Sequence, residues 1–165
     1  MDVRKFIVGI LAAIDARSTF EFLLERIKEA QPQLVAEILG QWQGMHQSPE
    51  AQIRIAKLLP VLHQLLAMPQ AKCLYFDSDG IESDCRYWVC RCLQGLKRKG
   101  SRVHLEAFLD SIDGPIETLV EAAMAHWCVT GTTKYALILR RAAKQKVDLS
   151  NAKYFLKRIR ENEGK

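Results

Sequence analysis

The chain has 165 residues, 48% of them apolar and 26% charged, which is enough to bury a substantial core and excludes disorder as the main state. Its formal charge is +5, and five cysteines without a secretory leader point to a reducing compartment, the cytoplasm, rather than to a disulfide scaffold. No apolar run approaches the roughly 18 residues of a spanning helix; the run at 8–14 is followed by Asp15 and Arg17, so we expect a soluble protein with no membrane partner.

Apolar residues recur at helical rather than alternating spacing almost from end to end, which predicts an all-α protein. Val3, Phe6, Ile7, Ile10 and Ile14 form a first stripe. Ser18-Thr19-Phe20-Glu21 has capping-box spacing and opens a second helix with Phe20, Leu23, Leu24 and Ile27. Pro32 interrupts it, and Leu34, Val35, Ile38, Leu39 and Trp42 continue on a third helix to Gly44. Ser48-Pro49-Glu50 joins an N-cap, a first-turn proline and an acid favoured by the dipole, predicting a helix to about residue 68. Pro60, lacking an amide proton, should kink or split that helix near Leu59. Residues 69–83 are least regular and read as a loop with a turn or two of helix over 71–76.

Cys85, Trp88, Val89, Cys92, Leu93 and Leu96 fall at i, i+3, i+4, i+7, i+8 and i+11, a complete apolar stripe from which Cys90 points away and which Gly100 closes. A shorter helix capped by Ser101 carries Leu105, Phe108, Leu109 and Ile112. After Asp113-Gly114-Pro115 comes a helix bearing Ile116, Leu119, Val120, Ala123, Met124, Trp127 and Cys128, ending at Gly131. Two more follow, from Thr132 to about Lys146 and from Ser150 to about Glu161.

Shifting the Cys85 stripe by 35 residues superposes it on the later one, Trp88 on Ala123 and Cys92 on Trp127, with large and small residues exchanged. Stacked hairpins permit this because each layer needs a filled interface rather than a fixed residue. The pattern Asp79-x6-Arg86-x2-Val89-x3-Leu93 resembles the second helix of a HEAT repeat, and the unit from Asp113 through Ala123 is similar, with Glu121 where the arginine would stand. Upstream, Ile53-Arg54 matches the same position, but Lys57 and Pro60 then land on core positions. The resemblance covers residues 79–131. It implies a single domain over 1–165, a short right-handed α-solenoid of four or five helix pairs, about 8–10 helices. Such solenoids mostly bind proteins, with nucleic-acid binders and occasional enzymes as minorities.

The candidate chemistry is sparse. The five cysteines lack the paired two-to-four-residue spacing of a zinc site and read as buried structural thiols. His46, His63, His104 and His126 are scattered, which disfavours a Cys/His nucleophile, and His126 beside Trp127 reads as a packed or groove-facing residue. Asp77, Asp79, Glu82 and Asp84 superficially resemble a calcium loop, but Gly80 is fourth rather than sixth and Trp88 holds the twelfth position. We therefore read these acids as capping the Cys85 helix, or as a partner-recognition loop. Glu106 and Asp110 with Arg102 read as a solvated face. No phosphate-binding or hydrolase motif is present, and no metal or cofactor is expected.

Charge is the informative feature. Residues 1–131 hold 14 basic and 16 acidic side chains, net −2, whereas 132–165 hold 10 and 3, net +7. Arg140, Arg141 and Lys144 crowd one helix; Lys153, Lys157 and Arg160 fall at i, i+4, i+7 on the next, with Tyr135 nearby. Helix-dipole complementation and a polar terminal cap account for part of this. The functional expectation is a non-enzymatic adaptor or immunity-type inhibitor that binds an acidic protein through these seven residues. Nucleic-acid binding by the same cations is the first alternative. A lyase- or glycosylase-like enzyme, needing a pocket where Trp88, Trp127 or Tyr87 meets a carboxylate, is the second.

Overall fold

The computed structural model describes residues 21–22, 25–27, 31–44, 53, 55–77, 79–145 and 149–163. The expected 3–14 stripe, the Ser18 cap and the Ser48-Pro49 helix start lie outside these residues. Among these described residues the protein is mostly helical with one two-stranded hairpin: α1 (Pro32–Gly44), α2 (Leu59–Leu66), β1 (Leu74–Phe76), β2 (Glu82–Asp84), α3 (Arg86–Leu96), α4 (Arg102–Ser111), α5 (Ile116–Thr130), α6 (Ala136–Gln145) and α7 (Leu149–Glu163).

Proline and glycine set several boundaries as their chemistry requires. Pro32 starts α1, and Pro60 sits in the first turn of α2 after a break at 57–58, where its missing amide costs no helical bond. Gly131 ends α5 in the left-handed conformation (φ 72°), its amide donating to the Trp127 carbonyl at 2.7 Å. Two other helices end less comfortably, at left-handed Lys97 (φ 50°) and Ile112 (φ 52°). Ile112 is exposed rather than part of the apolar face of α4.

Helix α5 is the core. From Thr118 to His126 every residue is buried, so the helix has no polar face and must be covered on several sides. Its main partners are α3, α4 and α6. Helix α3 is enclosed likewise by α1, α2 and α5, which is why Cys90, expected off the apolar stripe, is fully buried. Conversely, Trp88 and Trp127, expected in the core, are only half-buried.

The segment 69–83 differs most from expectation. A single 3-10 turn (Gln70–Lys72) replaces the helix, and Leu74, Tyr75 and Phe76 pair antiparallel with Asp84, Ser83 and Glu82. The Cys85 amide extends the ladder to the Cys73 carbonyl at 3.0 Å. Aromatic residues favour this pleated setting. Asp77 closes the turn: its Oδ1 accepts the amides of Asp79 (2.9 Å) and Ile81 (3.0 Å), and Gly80 takes φ 73°. Among the described residues, no helix is long and apolar enough to cross a membrane.

Candidate functional site

Two regions hold residues that the sequence singles out. The first is a cavity of about 660 Å³ between α1, the hairpin and the N-terminal ends of α3 and α5. Helix α1 contributes Gln33, Ala36, Glu37, Gly40 and Gln41, at i, i+3, i+4, i+7 and i+8 along one face. The small residues of this stripe leave room for the Trp88 indole: a Cβ added at Gly40 would stand 3.6 Å from the ring, an ordinary contact distance. Tyr87 meets Trp88 edge-on, ring centroids 5.2 Å apart. The hairpin supplies Tyr75, Asp77, Asp79, Ile81, Glu82 and Asp84, and α5 adds Glu117 and Thr118. Burial pushes the Tyr75 phenol above its ordinary value; the nearby Trp88 opposes that shift, and the charges of Asp77 and Glu37 add to it.

The hairpin is anchored beneath the cavity by Arg86, which is fully buried. Its Nε and Nη2 donate to Asp84 at 2.7–3.1 Å, and its Nη1 donates to the Met68 carbonyl at 3.0 Å and to Asp113 at 3.2 Å. The guanidinium also lies 4.8 Å from the Phe108 ring centroid. The arginine of the Asp79-x6-Arg86 pattern is thus neutralised by Asp84 and Asp113, whereas Asp79 lines the cavity. Asp84 Oδ1 accepts the Arg86 amide at 2.8 Å, so one of the loop acids satisfies a first-turn amide of α3, although Cys85 holds the N-cap position and makes no side-chain cap bond. Glu121, at the corresponding position of α5, is buried and receives Arg91 Nη1 at 3.5 Å.

Cys73, Cys85 and Asp84 bring their ligand atoms within 4.8 Å of one another. They do not make a persuasive metal centre, because Arg86 engages both Asp84 oxygens and sets a positive charge beside any incoming cation. A hydrogen bond with Cys73, together with burial, pushes the Cys85 thiol up. Burial raises Cys92 to about 12 and Cys90 well above its ordinary value, as inert structural thiols require.

The second region is the pair α6–α7. Arg140, Arg141, Lys144, Lys153, Lys157 and Arg160 are all exposed, and Lys157 lies 3.9 Å from Glu161. Tyr135 is not among them. It is 9% exposed, its hydroxyl donates to Asp110 at 2.7 Å, and its ring packs edge-on against His126. The Glu106/Asp110 pair is likewise structural: Glu106 lies 3.0 Å from Arg102 Nε and 3.1 Å from His126 Nε2, tying α4 to buried His126 on α5.

Tyr87, Trp88 and the loop acids are legible in the sequence as candidate site residues, whereas Glu37, Tyr75 and Glu117 are not. The only signal for the α1 wall was its small and polar stripe between apolar positions. In comparisons with known proteins, no family model, curated protein or solved structure matches the chain.

Proposed function

We propose that the chain is a non-enzymatic binding module, a short right-handed solenoid of HEAT-like hairpins that captures an acidic protein partner in the cytoplasm through Arg140, Arg141, Lys144, Lys153, Lys157 and Arg160. The packing supports the layered reading. Helices α2 and α3, α4 and α5, and α6 and α7 lie against one another, and successive pairs meet through α2–α4, α3–α5 and α5–α6.

One observation carries the functional reading: among the described residues, no carboxylate lies within ion-pair distance of Arg140, Arg141, Lys144, Lys153 or Arg160, all exposed. Clustered charge of one sign, left uncompensated, steers an oppositely charged partner into contact. Leu137, 71% exposed on α6, and Tyr154, 53% exposed and 5.9 Å from the Arg158 guanidinium, add apolar and aromatic contact area of the kind protein interfaces use.

Titration of a labelled random-sequence oligonucleotide at two salt concentrations tests the choice of partner. Weak binding with a shallow salt slope is expected. Micromolar or tighter binding that falls steeply with salt would transfer the same surface to nucleic acid, since phosphate neutralisation releases counterions.

The cavity favours a second reading, because Tyr87 and Trp88 share it with Glu37 and Glu117, as a lyase or glycosylase on this scaffold would need. Base release from an alkylated oligonucleotide, abolished by Glu117→Gln, would establish that activity.

A further inference from the structure

We propose that the cavity between α1, the hairpin and α3 binds an organic cation, an alkylammonium or guanidinium group held against Trp88 and Tyr75 and ringed by carboxylates. This does not rest on the basic face of α6–α7.

Two independent features point to this class of ligand. The first is the wall. Trp88, Tyr75 and Tyr87 line a space of about 660 Å³, large enough for a side chain or a small molecule. Aromatic faces attract cations through the ring quadrupole, most strongly where water is partly excluded. Exposed Ile81 at the rim can cover the aliphatic stem of such a group.

The second is the charge balance. The described lining residues include six carboxylates and no lysine or arginine. Asp84 is neutralised by Arg86. Among the described residues, Asp77, Asp79, Glu82 and Glu117 have no basic side chain within ion-pair distance. The first turns of α3 and α5 also line the cavity, and their dipoles together supply about one positive charge, so the space stays negative.

Spacing decides between an organic cation and a metal ion. A hard cation needs several oxygens converging at about 2.0–2.6 Å. Among the described residues, no three carboxylates of this cavity bring oxygens within 4.8 Å of one another. Carboxylates dispersed around an aromatic wall suit a larger, softer charge.

Calorimetric titration of the full chain with N-acetyl-arginine amide, tetramethylammonium chloride and the neutral isostere N-acetyl-citrulline amide tests the proposal. Saturable binding of at least one cation is expected, with none of the citrulline compound. The Glu82→Gln/Glu117→Gln variant, changed at two exposed positions with shape preserved, should bind about tenfold more weakly. Lys157→Glu should leave binding unchanged, which separates this test from any failure at the basic face. Preference for the arginine amide assigns the cation to a polypeptide side chain, and preference for tetramethylammonium to a free small molecule. Equal binding of the citrulline compound, an unaffected double variant, or no binding of either cation up to about 10 mM would overturn the proposal.

Discussion

Asp84 and Arg86, two residues apart in sequence, form a buried bidentate pair whose guanidinium also reaches Asp113 and the Met68 carbonyl, so one arginine joins the end of β2, the turn before α5 and the segment after α2. Its stability depends on leaving neither charge unpaired. Arg86→Met should cost about 3–5 kcal/mol in urea denaturation, because Asp84 keeps a buried charge without its partner. Asp84→Asn/Arg86→Met together should cost less than the two single changes added. Strict additivity would show that the two residues do not act as a unit.

Backbone conformation separates two glycines. Gly131→Ala should lose about 1 kcal/mol, because φ 72° is unfavourable for any residue with a Cβ. Gly100→Ala, where an added Cβ meets open space and φ is not positive, should be neutral. Equal melting temperatures for the two variants would contradict the left-handed end of α5.

Glu106 supplies a pH dependence. Hydrogen bonds from His126 and then Arg102 hold its carboxyl below the ordinary value of 4.5. A carboxyl lowered on folding stabilises the protein above its unfolded value, and that contribution is lost as pH falls through the folded value. Melting temperature should therefore fall more steeply below pH 4.5 in the wild-type chain than in Glu106→Gln. Parallel curves would remove this coupling between α4 and α5.

Cys128 is half-buried, whereas Cys73, Cys85, Cys90 and Cys92 are buried. Native alkylation should give one adduct, absent in Cys128→Ser, with labelling that accelerates at alkaline pH because burial raises the Cys128 thiol above 9.0. Mass spectrometry showing several adducts at once would mean that α3 is less enclosed than described.

Trp127 meets Phe155 of α7 edge-on, centroids 5.8 Å apart, and is only half-buried. Trp127→Ala should cost about 2 kcal/mol, less than the roughly 3–5 of a fully buried tryptophan. An unchanged urea midpoint would place the α5–α7 contact in doubt.

Much of this was legible in the sequence, for physical reasons. The end of α5 at Gly131 and the break before Pro60 follow from backbone chemistry that acts locally. The stripe through Val89, Cys92 and Leu93 follows from helical periodicity. Periodicity could not show that α3 is covered on more than one side, which buries Cys90, or that Trp88 stands beside an open cavity. The hairpin is not legible in the sequence because three-residue strands offer too few alternations to read. Proximity in sequence places Tyr135 with the cations, yet Asp110 on α4 captures its hydroxyl.

The proposed role of the α6–α7 cations is tested most directly by capture from a lysate of the native host at low salt. The full chain and a variant carrying Arg140→Glu, Arg141→Glu, Lys153→Glu and Lys157→Glu would be compared, each with and without nuclease. The unmodified chain should retain an acidic protein after nuclease treatment, and the variant, with an unchanged melting temperature, should lose it. Capture that disappears with nuclease, or that survives charge reversal, would rule out an acidic protein partner at these cations.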